Sequence, residues 1–234
     1  MVYPASQRSP FTHVFKQGES MSSELVMLGT GCAMVTRCYN TCFAIRHNKE
    51  YLLVDGGGGN GILVQLQHAG IPLESIKQIF VTHSHTDHVL GVIWVIRKMA
   101  SDMVEGTLHN PVTIYCHPEL AECIRTICRL TLPPGFFGCL DSCIRFQTVC
   151  DGEAVDIAGM QVIFLILLQP RPNNSAFVLY CPIFRRWSAW ETNPTINGTE
   201  LMSKDATGCC RKLSVFMRIK TSSSLTKNII ALLW

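Results

Sequence analysis

No apolar run in this chain approaches the roughly 18 residues that a membrane-crossing helix needs. Met1–Ser20 also lacks the charged start and apolar middle of a secretory signal, so the expectation is a soluble, cytoplasmic protein with no membrane partner. Cysteine is plentiful, at 12 residues, but no two are spaced CxxC as in a zinc ribbon or a redox pair. Scattered cysteines in a 234-residue chain read as reduced, mostly buried thiols rather than a disulfide framework. Charged residues are sparse, at 16% against 47% hydrophobic, which excludes a disordered chain. That leaves apolar material for one large α/β domain or two small ones.

Charge is uneven along the chain. Lys and Arg number 11 against 14 Asp and Glu up to Phe164, but 9 against 3 from Leu165 onward. All eight histidines lie at or before His117. A basic tail can serve as a nucleic-acid surface, or it can mean that residues 165–234 follow a different design from the rest. Three segments result: a floppy extension or misplaced start over 1–20, a well-patterned region over 21–164, and an aberrant tail over 165–234.

Within the patterned region, ELVMLGTG (24–31) reads as a buried strand running into a glycine turn, and TCFAIR (41–46) and YLLVD (51–55) as further strands. Residues 61–69 carry helical spacing, with Ile62, Leu63 and Leu66 on one face and a stop at Gly70. IKQIFVT (76–82) is another buried strand, and Val89 to Met99 resumes a helical pattern. VTIYCH (112–117) and Pro118–Leu130 repeat the strand-then-helix order, so the chain alternates as a layered α/β protein does.

Between the strand ending at Thr82 and the helix after it stands HSHTDH, which packs His83, His85, Asp87 and His88 into six positions. Imidazole nitrogens and carboxylate oxygens are ordinary zinc ligands, and a catalytic zinc keeps a position open for water. Two residues spaced i, i+2 on a curling loop can converge on one ion, while Asp87 and His88 at the next helix start can face a second. Adjacent metals can share a hydroxide, a nucleophile at neutral pH, with Asp87 as a proton shuttle. The plainer alternative is a polar loop with Asp87 as helix N-cap.

HSHTDH fits the HxHxDH signature of the metallo-β-lactamase superfamily, and LGTGCAMVTRCYNTCFAI (28–45), YLLVDGGGGNGIL (51–63) and FVTHSHTDHVLGVIWVIRK (80–98) resemble its ribonuclease Z-like members. The resemblance spans about residues 24–164. It implies an αββα sandwich holding two Zn²⁺ ions, with His83 and His85 on one and Asp87 and His88 on the other. It also implies hydrolysis of a phosphodiester, such as the 3′ end of precursor tRNA, by a zinc-bound hydroxide. RNA or a small phosphodiester is then the expected substrate, and a homodimer the expected assembly. Asp55 matches an aspartate that supports the metal loop; the alternative is a carboxylate that merely caps the glycine turn. Other hydrolases of the superfamily, acting on thioesters, lactones or small phosphodiesters, share the signature. So does an inactive fragment with a partial metal site.

Gly56, Gly58 and Gly61 also satisfy GxGxxG between a strand and a helix, the setting of a dinucleotide-binding turn. That reading wants an acidic residue at the end of the next strand, where this chain has Thr82 and His83.

The superfamily draws further ligands from its second half, a bridging aspartate and a late histidine, and this tail offers no histidine. Two explanations compete, a diverged tail and a shift of reading frame, and the genetic code lets the second be tested. Written in permitted codons and read from the third base, SAWETNPTIN (188–197) becomes CLGDEPYN, QPRPNNSAF (169–177) becomes TKTKQFGF, and SLTKNIIAL (224–232) becomes PYEKHHST. All three resemble ribonuclease Z-like segments, in order and in one frame. The Trp190–Glu191 pair forces the glycine, because TGG followed by a Glu codon contains GGA. A single-base change near the codons for Phe164 and Leu165 therefore accounts for the missing histidines and the surplus of basic residues. On this hypothesis the tail's charge is accidental and says nothing about RNA.

Overall fold

A computed structural model describes residues 23–166 together with the strands at 175–180, 214–216 and 230–233. The extension over 1–20 and most of the 165–234 tail lie outside the described residues.

Six strands form the first sheet, in the order β1 (Ser23–Gly29), β2 (Cys42–His47), β3 (Glu50–Val54), β4 (Ile76–Phe80), β5 (Val112–Cys116), β6 (Ile144–Thr148). β1 to β3 pair antiparallel, whereas β3 to β6 run parallel. Parallel neighbours need crossovers, and helices α1 (Gly61–His68), α2 (Thr86–Val104) and α3 (Pro118–Thr131) supply them. A second, five-stranded sheet orders as β10 (Ser214–Phe216), β11 (Ile230–Leu233), β9 (Ser175–Tyr180), β8 (Met160–Ile166), β7 (Ala154–Ile157). These are the helix, sheet and sheet layers of an αββα sandwich.

Why the strands read as unbroken apolar runs is now plain: the first sheet is covered on both faces. Alternate residues enter different cores. Ala44, Leu53, Ile79, Val81, Ile114 and Cys116 pack toward the helices, with Ile62 and Leu66 of α1 and Val92, Ile96 and Met99 of α2. Phe43, Ile45, Leu52, Val54, Phe80 and Tyr115 pack toward the second sheet, against Ile157, Met160, Val162 and Phe164. Each such side chain contributes about 1.5–3 kcal/mol by burial, and this fixes α2 against the sheet along most of its length.

α2 begins three residues before the expected Val89 and runs five beyond Met99. Strands β6 to β8 add elements for which the sequence reading gave no expectation. β7 and β8 join through a tight turn in which Ala158 (φ 54°) and Gly159 (φ 83°) both adopt positive φ, the hallmark of a primed hairpin turn usually signalled by Asn-Gly. The cysteines are less uniformly buried than expected. Cys42, Cys116, Cys128 and Cys139 are buried free thiols, whereas Cys32, Cys143 and Cys150 are exposed. Among the described residues no helix is long and apolar enough to cross a membrane.

Candidate metal centre

The carboxyl ends of the parallel strands share one edge of the first sheet, the edge at which open α/β sheets bind ligands. Asp55 directly follows β3, and Val81, Thr82 and His83 follow β4. His85 occupies the N-cap position of α2, and Asp87 and His88 lie in its first turn. Asp87 is thus not the N-cap. It lies instead in the first turn of the helix, where negative charge is favoured.

Close contacts at four glycines hold these pieces together. A Cβ on Gly91 would lie 1.7 Å from the Gly56 carbonyl oxygen, and one on Gly56 would lie 2.2 Å from the Val92 nitrogen. The Asp55 turn and α2 therefore meet backbone to backbone, and Gly56 N–H donates to the His88 carbonyl at 2.9 Å while Gly91 N–H donates to Gly57 at 2.8 Å. From the other side the Tyr39 hydroxyl lies 2.8 Å from the Gly56 carbonyl and 2.6 Å from that of Gly59. Its ring fills the space where side chains on Gly57 and Gly61 would stand. Burial pushes the Tyr39 phenol up to about 12, so it remains a donor at neutral pH. The glycine run is consequently occupied by Tyr39 and α2, which leaves no open cradle for the dinucleotide alternative. Tyr39 was not singled out from sequence; an isolated tyrosine in a loop carries no periodic signal.

Asp55 is fully buried and held at φ 57°, a conformation costly for a residue with a side chain. Its carboxylate accepts from Thr82 N–H and from the Thr82 hydroxyl, both at 2.8 Å, and from His88 Nδ1 at 2.8 Å. Asp55 therefore ties strand end, histidine loop and helix start to one another. The Thr82 hydroxyl also meets His83 Nδ1 at 2.8 Å.

These partners fix the protons of both neutral rings. A carboxylate only accepts, so His88 carries its hydrogen on Nδ1. The Thr82 hydroxyl has one hydrogen, which goes to Asp55, so His83 Nδ1 must donate to the hydroxyl oxygen. In its neutral form each ring then has its unprotonated nitrogen at Nε2. His83 Nε2 faces His85 Nδ1 at 3.1 Å, close to the roughly 3.3 Å that separates two nitrogens on one tetrahedral zinc. His88 Nε2 lies 3.5 Å from Asp87 Oδ2, and the His83 and His88 rings are 4.0 Å apart. His83 and His88 are each 8% exposed, while His85 is exposed and Asp87 partly so.

The electrostatics differ between the two buried rings. Burial, with His88 next to it, pulls the His83 pKa down to about 4, which keeps that ring neutral. Burial also opposes charge on His88, but the hydrogen bond and charge of Asp55, aided by Asp87, outweigh it and shift the pKa upward. A positive centre at His88 Nε2 is favoured. The arrangement is chemically suited to a cation: two pairs of donor atoms, one nitrogen with nitrogen and one nitrogen with oxygen, the first bridged by a single proton that a cation would displace. Among the described residues no single group of three or more His, Cys, Asp or Glu side chains closes around one ion.

Comparison with known proteins agrees with this architecture. The family described as Anti-Pycsar protein Apyc1 matches residues 23–163, more than half of the chain. Ribonuclease Z of Kineococcus radiotolerans is 39% identical over 101 residues, covering 40% of this chain and 30% of its own length. Ribonuclease Z of Methanothermobacter thermautotrophicus is 36% identical over 137 residues, covering 57% of this chain and 40% of its own. The chain thus spans well under half the length of these curated relatives. The metallo-β-lactamase fold protein YhfI from Bacillus subtilis superposes with a TM-score of 0.52 at 16% identity, covering 67% of this chain and 58% of that one, a likeness of fold. The chain belongs to the family described as Anti-Pycsar protein Apyc1; its fold is that of the metallo-β-lactamases and its sequence resembles ribonucleases Z.

Proposed function

We propose that this chain carries the first half of a two-zinc hydrolase site of the ribonuclease Z type, directed at phosphodiesters. His83 and His85 would hold one ion, and Asp87 and His88 the other. The observation that carries this reading is the hydrogen-bond geometry: Thr82 and Asp55 meet the Nδ1 sides of His83 and His88, and His83 Nε2 stands 3.1 Å from His85 Nδ1. When bound, zinc supplies Lewis acidity and lowers the pKa of a coordinated water to about 7.

The protein's own groups do the remaining work. Asp55 and Thr82 orient the rings, the Gly56–Gly91 contact keeps the loop against α2, and Asp87, partly exposed beside His88, accepts and returns a proton. The phosphodiester substrate, including the 3′ end of precursor tRNA, is proposed from the names of the curated relatives, which are ribonucleases Z.

We further propose that residues 165–234 are read out of frame. The end of the family match at residue 163, next to the codons of Phe164 and Leu165, supports this. A second reading is an inactive fragment with a partial site, because the sequence has no histidine after His117 to add to the four residues named above.

Three measurements separate these readings. Sequencing the gene across those codons in an independent isolate tests the frame; an intact copy encoding this same tail refutes it. Metal analysis of the purified chain comes next. Two tightly held zinc ions with turnover rule out the partial site. Assays of the chain and of its frame-restored form use an RNA with a 3′ extension beside a small chromogenic phosphodiester. Failure of the restored form on both sinks the hydrolase reading, and activity on the small ester alone redirects the substrate class.

A further inference from the structure

We propose that Thr82 is a positioning residue of the metal centre: its hydroxyl transmits the acceptor demand of the buried Asp55 carboxylate to His83 and so decides which His83 nitrogen is free to bind. The proposal rests on the metal-centre reading above.

Thr82 is fully buried two residues beyond β4 and carries a β-branched side chain that is stiff at χ1, which narrows the directions open to its hydroxyl. The hydroxyl oxygen lies 2.8 Å from Asp55 Oδ2 and 2.8 Å from His83 Nδ1. One hydrogen cannot serve both neighbours. The carboxylate takes it, and the oxygen can then only accept from His83. Asp55 reaches His88 directly at 2.8 Å but reaches His83 only through Thr82. One carboxylate thereby sets the proton on two rings by two separable routes.

Removing the hydroxyl cuts one route alone. In Thr82→Val the shape of the side chain is kept, His83 Nδ1 loses its acceptor, and its hydrogen is free to move to Nε2, where it can be given to His85 Nδ1. That places a proton on the nitrogen needed for the metal. His88 remains bound to Asp55 and serves as an internal control. Thr82→Ser restores the hydroxyl, and Thr82→Ala provides a second hydroxyl-free variant should the valine protein not fold.

The test is imidazole nitrogen NMR on the metal-free full chain at a pH where the rings are neutral, with folding checked by circular dichroism. The expected result is Nδ1–H on both rings in the native protein and in Thr82→Ser. In Thr82→Val and Thr82→Ala His83 shifts to Nε2–H or a mixture, and His88 does not change. Zinc affinity, measured by competition with a chromogenic chelator, should weaken about tenfold in the hydroxyl-free variants and recover in Thr82→Ser. An unchanged His83 tautomer in both hydroxyl-free proteins overturns the proposal, and it does so even if zinc binds normally. Conversely, a tautomer switch in a chain whose native form binds no zinc retains the relay and removes the metal-centre reading.

Discussion

Replacing Asp55 by alanine should destabilise this protein severely, and the size follows from its partners. The side chain is fully buried and accepts three hydrogen bonds, from the Thr82 amide, the Thr82 hydroxyl and His88 Nδ1. Each buried donor left without an acceptor costs about 1–3 kcal/mol. The three share one network, so their costs do not add fully, and a loss of about 3–5 kcal/mol is expected. Alanine also inherits the φ of 57° and gains nothing from relief of strain. With a urea dependence of roughly 2 kcal/mol per molar, the unfolding midpoint should fall by about 2 M. Asp55→Asn is a subtler perturbation. Asparagine tolerates positive φ, but its NH₂ would face the Thr82 hydroxyl and His88 Nδ1 where an oxygen now accepts. His88 must then present Nδ1 as an acceptor and carry its hydrogen on Nε2, so zinc affinity should fall by about 10–100-fold with a smaller loss of stability. Urea titration of the metal-free protein and chelator competition measure the two effects separately. A midpoint shift below about 0.5 M for the alanine variant, or unchanged zinc affinity for the asparagine variant, would show that this carboxylate does not organise the centre.

Gly91→Ala should cost more than about 3 kcal/mol, because its Cβ would meet the Gly56 backbone at 1.7 Å and backbone cannot step aside as a side chain can. Gly138→Ala, with nothing within 4 Å of its Cβ, should stay within about 0.5 kcal/mol, and thermal denaturation of the pair checks the contrast. Tyr39 has a folded pKa of about 12 against 10.0 when unperturbed. Its contribution, up to roughly 2 kcal/mol, is fully present below pH 10 and lost as pH rises toward 12, where the unfolded phenol ionises first. Phenolate absorbance against pH, with Tyr39→Phe as the reference, tests this; a native phenol titrating near pH 10 refutes it. Among the thiols, Cys32, Cys143 and Cys150 should be alkylated in the native protein. Cys116 and Cys128, pushed up to about 12 by burial, and Cys42, pushed up by burial beside Asp55, should react only on unfolding. Mass spectrometry of alkylated peptides before and after urea reads this directly.

The strands and helices of the patterned region were legible because each is a local statement. YLLV and IFV are apolar at successive positions, which happens when both faces of a strand are buried, and they fall in or directly after the central strands β3 and β4. The length of α2 was underestimated at its start, since Thr86, Asp87 and His88 are polar and interrupt the apolar stripe that marks the rest of the helix. The β7–β8 hairpin went unread because Ala158–Gly159 is a weaker turn signal than Asn-Gly. The reading of GxGxxG as one formal alternative shows the limit of a motif. The same glycines serve here to let α2 and the Tyr39 ring approach the chain, a use that no spacing rule separates from a phosphate cradle.

By itself the sequence determined the layered α/β order, the place of HSHTDH on a strand-to-helix loop, and the residue types that could meet a metal there, because these depend on side-chain identity and short spacing. Only the tertiary structure decided what makes those residues usable. Thr82 is 27 residues from Asp55, and His88 is 33 residues from it, yet all three share one buried carboxylate. Which imidazole nitrogens turn toward the buried carboxylate network follows from that shared acceptor and from the Gly56–Gly91 backbone contact that carries it to α2. Hydrogen bonds across such separations are set by packing, and packing is not written at any single position.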